Sequence, residues 1–214
     1  MSRIGCASRS KIGSALLAWA LLAAPAPPSA RAEPPPSRGL LYGSALVGPI
    51  HVGDVRLFGP GGAPGSLLSV GPGLGVRAHL GWELERGFSI LLVGGLAANA
   101  VDTSAYVGPA PSDVLTRVDV AIAGRYTIWN DSPALPFVQV GVAVNLWSFD
   151  RPDGVAVESA VAASLEGTFG LHLRVQPWLG VELAVTYAYA FDVGLFIDGA
   201  MWLQPSAGVT LYAL

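Results

Sequence analysis

The chain is short of charge and of thiols. Only 13% of its 214 residues are Asp, Glu, Lys or Arg, about half the roughly 25% of an ordinary globular domain. It has one cysteine, Cys6, and one lysine, Lys11, both near the N-terminus. Beyond residue 32 there is no thiol, which excludes a disulfide, a thiol nucleophile and a thiolate metal site there. Also missing from the interior of the chain is a run of about 20 apolar residues, the length a membrane-spanning helix needs. The stretch 90–101 is too short and is interrupted by Gly94, Gly95 and Asn99. Yet 52% of the residues are hydrophobic and the mean hydropathy is +0.52. The apolar residues must be distributed in some pattern other than a long block.

The N-terminus is the exception. Arg3, Arg9 and Lys11 form a basic start, residues 12–24 are apolar, and Ala30-Arg31-Ala32 offers a small-residue cleavage site. Together these are the three parts of a secretory signal peptide. The expected organisation is a cleaved signal peptide over 1–32, a Pro-rich lead-in over 33–38, and one domain over 39–214. Cleavage removes Arg3, Arg9, Lys11 and Arg31, leaving 8 basic against 15 acidic residues, a net charge of −7. That balance argues against nucleic acid as a partner, because such proteins carry basic patches.

The pattern itself is alternation. From Leu179 to Phe191, one parity is Leu179, Val181, Leu183, Val185, Tyr187, Tyr189 and Phe191; the other is Gly180, Glu182, Ala184, Thr186, Ala188 and Ala190. Successive side chains of a strand point to opposite faces, so one face is large and oily and the other small or polar. A soluble sheet buries the oily face on a second layer; a membrane barrel turns it to lipid. Eight such strands are predicted near 40–52, 67–84, 87–101, 114–128, 136–149, 157–175, 179–191 and 201–214. The alternation is clean in the second and in the fourth to seventh. It is poor in the first, third and eighth, where Leu91 and Val93 fall on the wrong parity and Val209 and Leu211 compete with Tyr212 and Leu214.

Connections alternate in length. Short ones are 85–87, 129–135 and 176–178; longer ones are 54–66, 102–113, 150–156 and 192–200, all marked by Gly, Pro, Asn or Asp. Outer-membrane barrels have short periplasmic turns and longer extracellular loops. Aromatic residues cluster near the strand ends, and Trp82, Trp129, Trp178 and Tyr212 on the short-turn side with Trp147, Phe149, Phe191 and Trp202 on the other are predicted to form two girdles at the membrane interfaces.

These features lead to an all-β fold: an antiparallel, eight-stranded, up-and-down transmembrane barrel. Residues 39–214 resemble the small outer-membrane barrels of the OmpA-transmembrane-domain and OmpX type, and the last strand, Gly208 to Leu214, resembles the terminal strand that this class presents to the barrel assembly machinery. Such strands usually finish in Phe, whereas here Leu214 is last and the aromatic is Tyr212. The resemblance implies a monomer in the outer membrane of a Gram-negative bacterium, in contact with lipid and lipopolysaccharide. Neither a periplasmic peptidoglycan-binding domain after the barrel nor an anchoring role is expected.

The inward parity carries Arg77, Glu83, Arg117, Asp119, Arg125, Glu166, Arg174 and Glu182, with His79 and His172. An eight-stranded barrel is only wide enough for side chains to fill, and buried charges need partners. The expectation is a balanced ion-pair network filling the barrel, with no catalytic group, metal or cofactor. His51 near Asp54 and Ser69 is the least implausible catalytic set. Gly71-Pro72-Gly73-Leu74-Gly75 lacks the Lys-Ser/Thr and the helix of a phosphate loop and reads as small inward residues of a strand. The expected role is non-enzymatic, structural or surface-interacting, through the extracellular loops. The alternatives are a narrow channel, a lipid A-modifying enzyme, and a soluble barrel holding a hydrophobic ligand.

Overall fold

The computed structural model describes residues 40–53, 55–56, 67–85, 87–102, 114–129, 132–149, 158–191 and 199–213. It consists of strands β1 (Leu41–Val52), β2 (Val55–Arg56), β3 (Leu67–Glu85), β4 (Phe88–Asp102), β5 (Val114–Thr127), β6 (Ala134–Phe149), β7 (Glu158–Gln176), β8 (Leu179–Ala190) and β9 (Ala200–Tyr212). β2 pairs only with the start of β3. The other eight pair antiparallel with their sequence neighbours, and β1 closes the ring by pairing with both β3 and β9. Their ends lie within two residues of the positions read from the sequence. The longer connections fall mostly outside the described residues.

The ladder fixes the shape. Followed around the ring, Phe88 faces Tyr126, then Val138, Phe169, Val185 and Pro205. The flanking pairs Val47–Ala207 and His51–Leu203 put Pro49 opposite Pro205, and Pro49 leads through Leu74 to Ala98 on the strand where the path began. The path returns at residue 98 rather than 88, a shear of ten residues. With a rise of about 3.4 Å and a strand spacing of about 4.8 Å, that shear tilts eight strands by about 40°.

Large apolar residues occupy the outer face: Leu74, Val76 and Leu80 on β3, Val118, Val120 and Ile122 on β5, Val138 to Leu146 at every second position on β6, and Leu183, Val185, Tyr187 and Tyr189 on β8 are all exposed. The outward apolar run on β6 covers residues 138–146, close to the 9–11 residues that a tilted strand needs to cross a bilayer. Beyond it the outer face turns polar, and Thr116, Ser148 and Ser159 lie side by side on β5, β6 and β7. The Tyr187 hydroxyl, midway along this oily wall, donates to Met201 Sδ at 3.0 Å. A closed ring with this exterior suits hydrocarbon, not water.

The strands with poor alternation are resolved by the interior. Leu91 and Val93 point inward and are fully buried. They pack with Tyr42, Ala121, Ala123 and Ala143, so the bulk of β4 fills space that alanines on β5 and β6 leave. In β1 the inward residues are Tyr42, Ser44, Leu46, Ile50 and Val52, and in β9 Val209 and Leu211 face out. Leu214 lies outside the described residues. The glycine-rich stretch of β3 is not a regular strand throughout: its pairing with β4 shifts register between Val70 and Gly73. Gly71 and Pro72 sit in that bulge, where a missing N–H costs least.

Candidate functional site: the barrel interior

Every inward charge read from the sequence lies inside the ring. Arg77, Glu83, Arg117, Asp119, Arg125, Glu166 and Glu182 are buried, and Arg174 is half-buried. Four arginines therefore face four carboxylates. They do not form one network but two layers and a mouth.

The layer nearer the short turns is built on Arg125 and Glu182. Arg125 Nη1 and Nη2 donate to Glu182 Oε2 and Oε1, both at 2.9 Å. Its Nε and Nη2 also donate to Gln139 Oε1 at 3.1 and 2.9 Å. Nη2 lies 3.1 Å from His79 Nδ1, and since arginine only donates, that ring nitrogen accepts. The hydroxyls of Ser44 and Thr210 lie 3.4 Å from Glu182 Oε2 and 2.9 Å from each other. The Phe137 ring lies under the guanidinium at 4.1 Å.

Further toward the long-loop end, Arg77 Nη2 donates to Glu166 Oε2 at 2.5 Å and to Asp119 Oδ2 at 3.4 Å. Arg117 Nε donates to Asp119 Oδ1 at 3.1 Å. Asp119 lies directly across from Gly95, and a Cβ there would stand 2.5 Å from its carboxylate oxygens. Above it the Arg117 guanidinium stacks 4.1 Å from the Trp202 ring and 5.5 Å from Trp147. The two indoles meet edge to face at 5.7 Å. Ile50, Leu115, Val101 and several alanines complete this apolar plug.

The short-turn mouth takes Glu83 and Arg174, which are not paired with each other. Glu83 Oε1 accepts from the Gly87 amide at 3.2 Å, in a turn where Gly87 has φ +88°. Arg174 lies over the rings of Trp129 at 4.8 Å and Tyr212 at 5.1 Å. The Tyr212 hydroxyl is 2.7 Å from His172 Nε2. Glu83, Arg174, Trp129, His172, Tyr212 and Tyr42 help line a cavity of about 30 Å³, room for a water or two.

The girdle expectation needs correction. Trp82, Trp178 and Phe191 point outward and are exposed. Trp147 and Trp202 point inward, each 1% exposed; Tyr212 also faces in, and Trp129 is half-buried over the mouth. The Phe149 side chain lies outside the described residues. Proximity to a strand end was the wrong signal. Parity was the right one: Trp147 follows outward Leu146, and Trp202 follows outward Met201. Tyr42, also near a strand end, faces in and is buried beside Leu91 and Val93.

His51 and Ser69 are exposed on the outer face and Asp54 lies outside the described residues. Among the described residues no group of three or more His, Cys, Asp or Glu is placed to hold a metal ion. Of the acidic residues in the long connections, only Asp102 is described, at the end of β4 opposite Ser69.

No family model and no curated protein matches the chain. Solved structures are. Neisserial surface protein A superposes with a TM-score of 0.61 at 16% identity, covering 80% of this chain and 96% of that one. OprG, an outer-membrane protein of Pseudomonas aeruginosa, gives 0.52 at 14% identity, over 83% and 97% of the two chains. The N-terminal barrel domain of OprF from the same organism gives 0.51 at 14% identity, over 83% and 100%. At these identities the likeness is one of fold: a closed, antiparallel, eight-stranded barrel of the outer-membrane kind.

Proposed function

We propose that this protein is an integral barrel of a Gram-negative outer membrane, non-enzymatic and non-conducting, with a structural or surface-interacting role through the loops of its long-connection end. The observation that carries the reading is the filled interior. The Arg125–Glu182 layer, the Leu91–Val93 layer, the Arg77–Glu166–Asp119 layer and the Trp147–Arg117–Trp202 plug succeed one another along the axis. A water path would have to pass all four. The exposed apolar exterior supports the membrane location, and the fold likeness to outer-membrane proteins agrees with it. Contact with lipopolysaccharide, insertion by the barrel assembly machinery and a monomeric state are part of the same proposal.

Planar-bilayer recording on the purified, detergent-extracted protein tests this. A silent bilayer is expected. Steady single-channel currents would instead establish the narrow channel. Extraction without detergent, with no change of gel mobility on heating, would establish a soluble barrel.

A further inference from the structure

A closed barrel has no edges, yet β1 and β9 each carry a proline at mid-strand, where a central strand should not tolerate one. Both prolines belong to the same rung. The pairs Val47–Ala207 and His51–Leu203 keep one register, and between them no pairing is made over 48–50 and 204–206. Pro49 and Pro205 stand opposite each other in that gap. The amide of Gly53 donates to Met201 and that of Ala213 to Leu41, so odd-numbered rungs of this seam are the hydrogen-bonded ones. Two N–H groups are therefore missing from one rung, and both would have pointed into the seam. Toward their other neighbours the prolines cost nothing: Pro49 stays in register with Leu74 and Pro205 with Val185.

Every other seam of the ring joins neighbouring strands along the chain, whereas that between β1 and β9 joins the first to the last, so loop-closure entropy favours its forming last. Until then they are the two free edges of an eight-stranded sheet. Free edges pair with other chains unless they are blunted, usually by charge, bulges or proline. Neither Leu41–Val52 nor Ala200–Tyr212 contains an Asp, Glu, Lys or Arg. Among the described strands the other prolines sit elsewhere: Pro72 in the β3 bulge and Pro136 near the first residues of β6. We propose that Pro49 and Pro205 guard the two open edges against strand pairing with a second copy of this chain before the barrel closes. The closed structure loses a single rung in exchange. Register at closure is held by glycine: Gly48 passes the Pro205 carbonyl, and Gly208 the Ala45 carbonyl, too closely for any Cβ. A slip of two residues would drive Leu46 or Ile50 into that contact.

The test is refolding of the full chain from urea into detergent micelles over a range of protein concentrations, scored by the mobility shift of unheated samples and by size-exclusion chromatography. The P49V/P205V double variant is compared with the parent and with P136V. The folded monomer of the double variant should fall about two-fold or more at high concentration, with dimers and larger species appearing, and recover on about ten-fold dilution. P136V should behave as the parent. Parental yield for the double variant at every concentration would overturn the proposal. So would a loss that dilution does not relieve, or an equal loss in P136V, since neither is an intermolecular edge effect specific to this seam.

Discussion

Arg125 and Glu182 meet through two parallel N–H···O bonds of 2.9 Å, from β5 on one wall to β8 on another. Neither strand pairs with the other in the ladder, so this pair ties the ring across its lumen. Breaking a buried ion pair by removing one partner leaves an uncompensated charge, which costs about 3–5 kcal/mol. Arg125→Ala should therefore lower stability by about that amount in urea titrations followed by gel mobility. R125M/E182L, which removes both charges and keeps bulk, should cost clearly less than Arg125→Ala alone. An equal or larger loss in the double variant would mean that the two groups act independently.

Trp147 and Trp202 flank Arg117 inside the barrel, whereas Trp82 and Trp178 stand on its outer face. Variants keeping one of the six tryptophans and carrying Phe at the rest report each position separately. In vesicles containing lipids brominated on the acyl chains, Trp82 and Trp178 emission should be strongly quenched. Trp147 and Trp202 should be shielded by a full side-chain layer and the backbone. Comparable quenching at all four would place the upper indoles in a lipid-facing girdle after all.

Much of this arrangement could be read from the residues alone, wherever one face was polar. Arg117, Asp119 and Arg125 alternate with Val118, Val120 and Ile122, so β5 had only one sensible orientation. Parity lost its force where both faces are apolar. Leu91 and Val93 share β4 with Ile90 and Leu92, and nothing local says which pair faces the lumen. The answer lies on β5 and β6, whose alanines leave a space that only β4 fills. Pairing across the lumen was equally invisible. That Arg125 meets Glu182, and that Arg77 reaches both Glu166 and Asp119, depends on the ten-residue shear, which no single strand encodes.

Gly95 and Asp119 face each other on β4 and β5, with the carboxylate lying over the glycine. The carboxylate occupies the place of a Cβ and from there reaches both Arg77 and Arg117. Gly95→Val should push it off and strain the layer at a cost of about 1–3 kcal/mol. Gly94→Val, one residue away on the open outer face, meets nothing within 4 Å and should be neutral or slightly stabilising in the same unfolding assay. If the two variants behave alike, the glycine is not what seats Asp119.

Ile122 is 63% exposed in the middle of the β5 outer face, and Ser148 stands where the apolar run of β6 ends. The cost of an arginine on a lipid-facing position depends on depth: about 2–4 kcal/mol near the midplane and about 0–1 near the interface. Ile122→Arg should therefore destabilise the barrel in phospholipid vesicles by about 2 kcal/mol or more, and Ser148→Arg by less than about 1. On a water-facing surface both arginines would be solvated and both substitutions close to neutral. The difference between the two variants thus measures what the outer wall touches, and it does so in the closed barrel without altering a single interior contact.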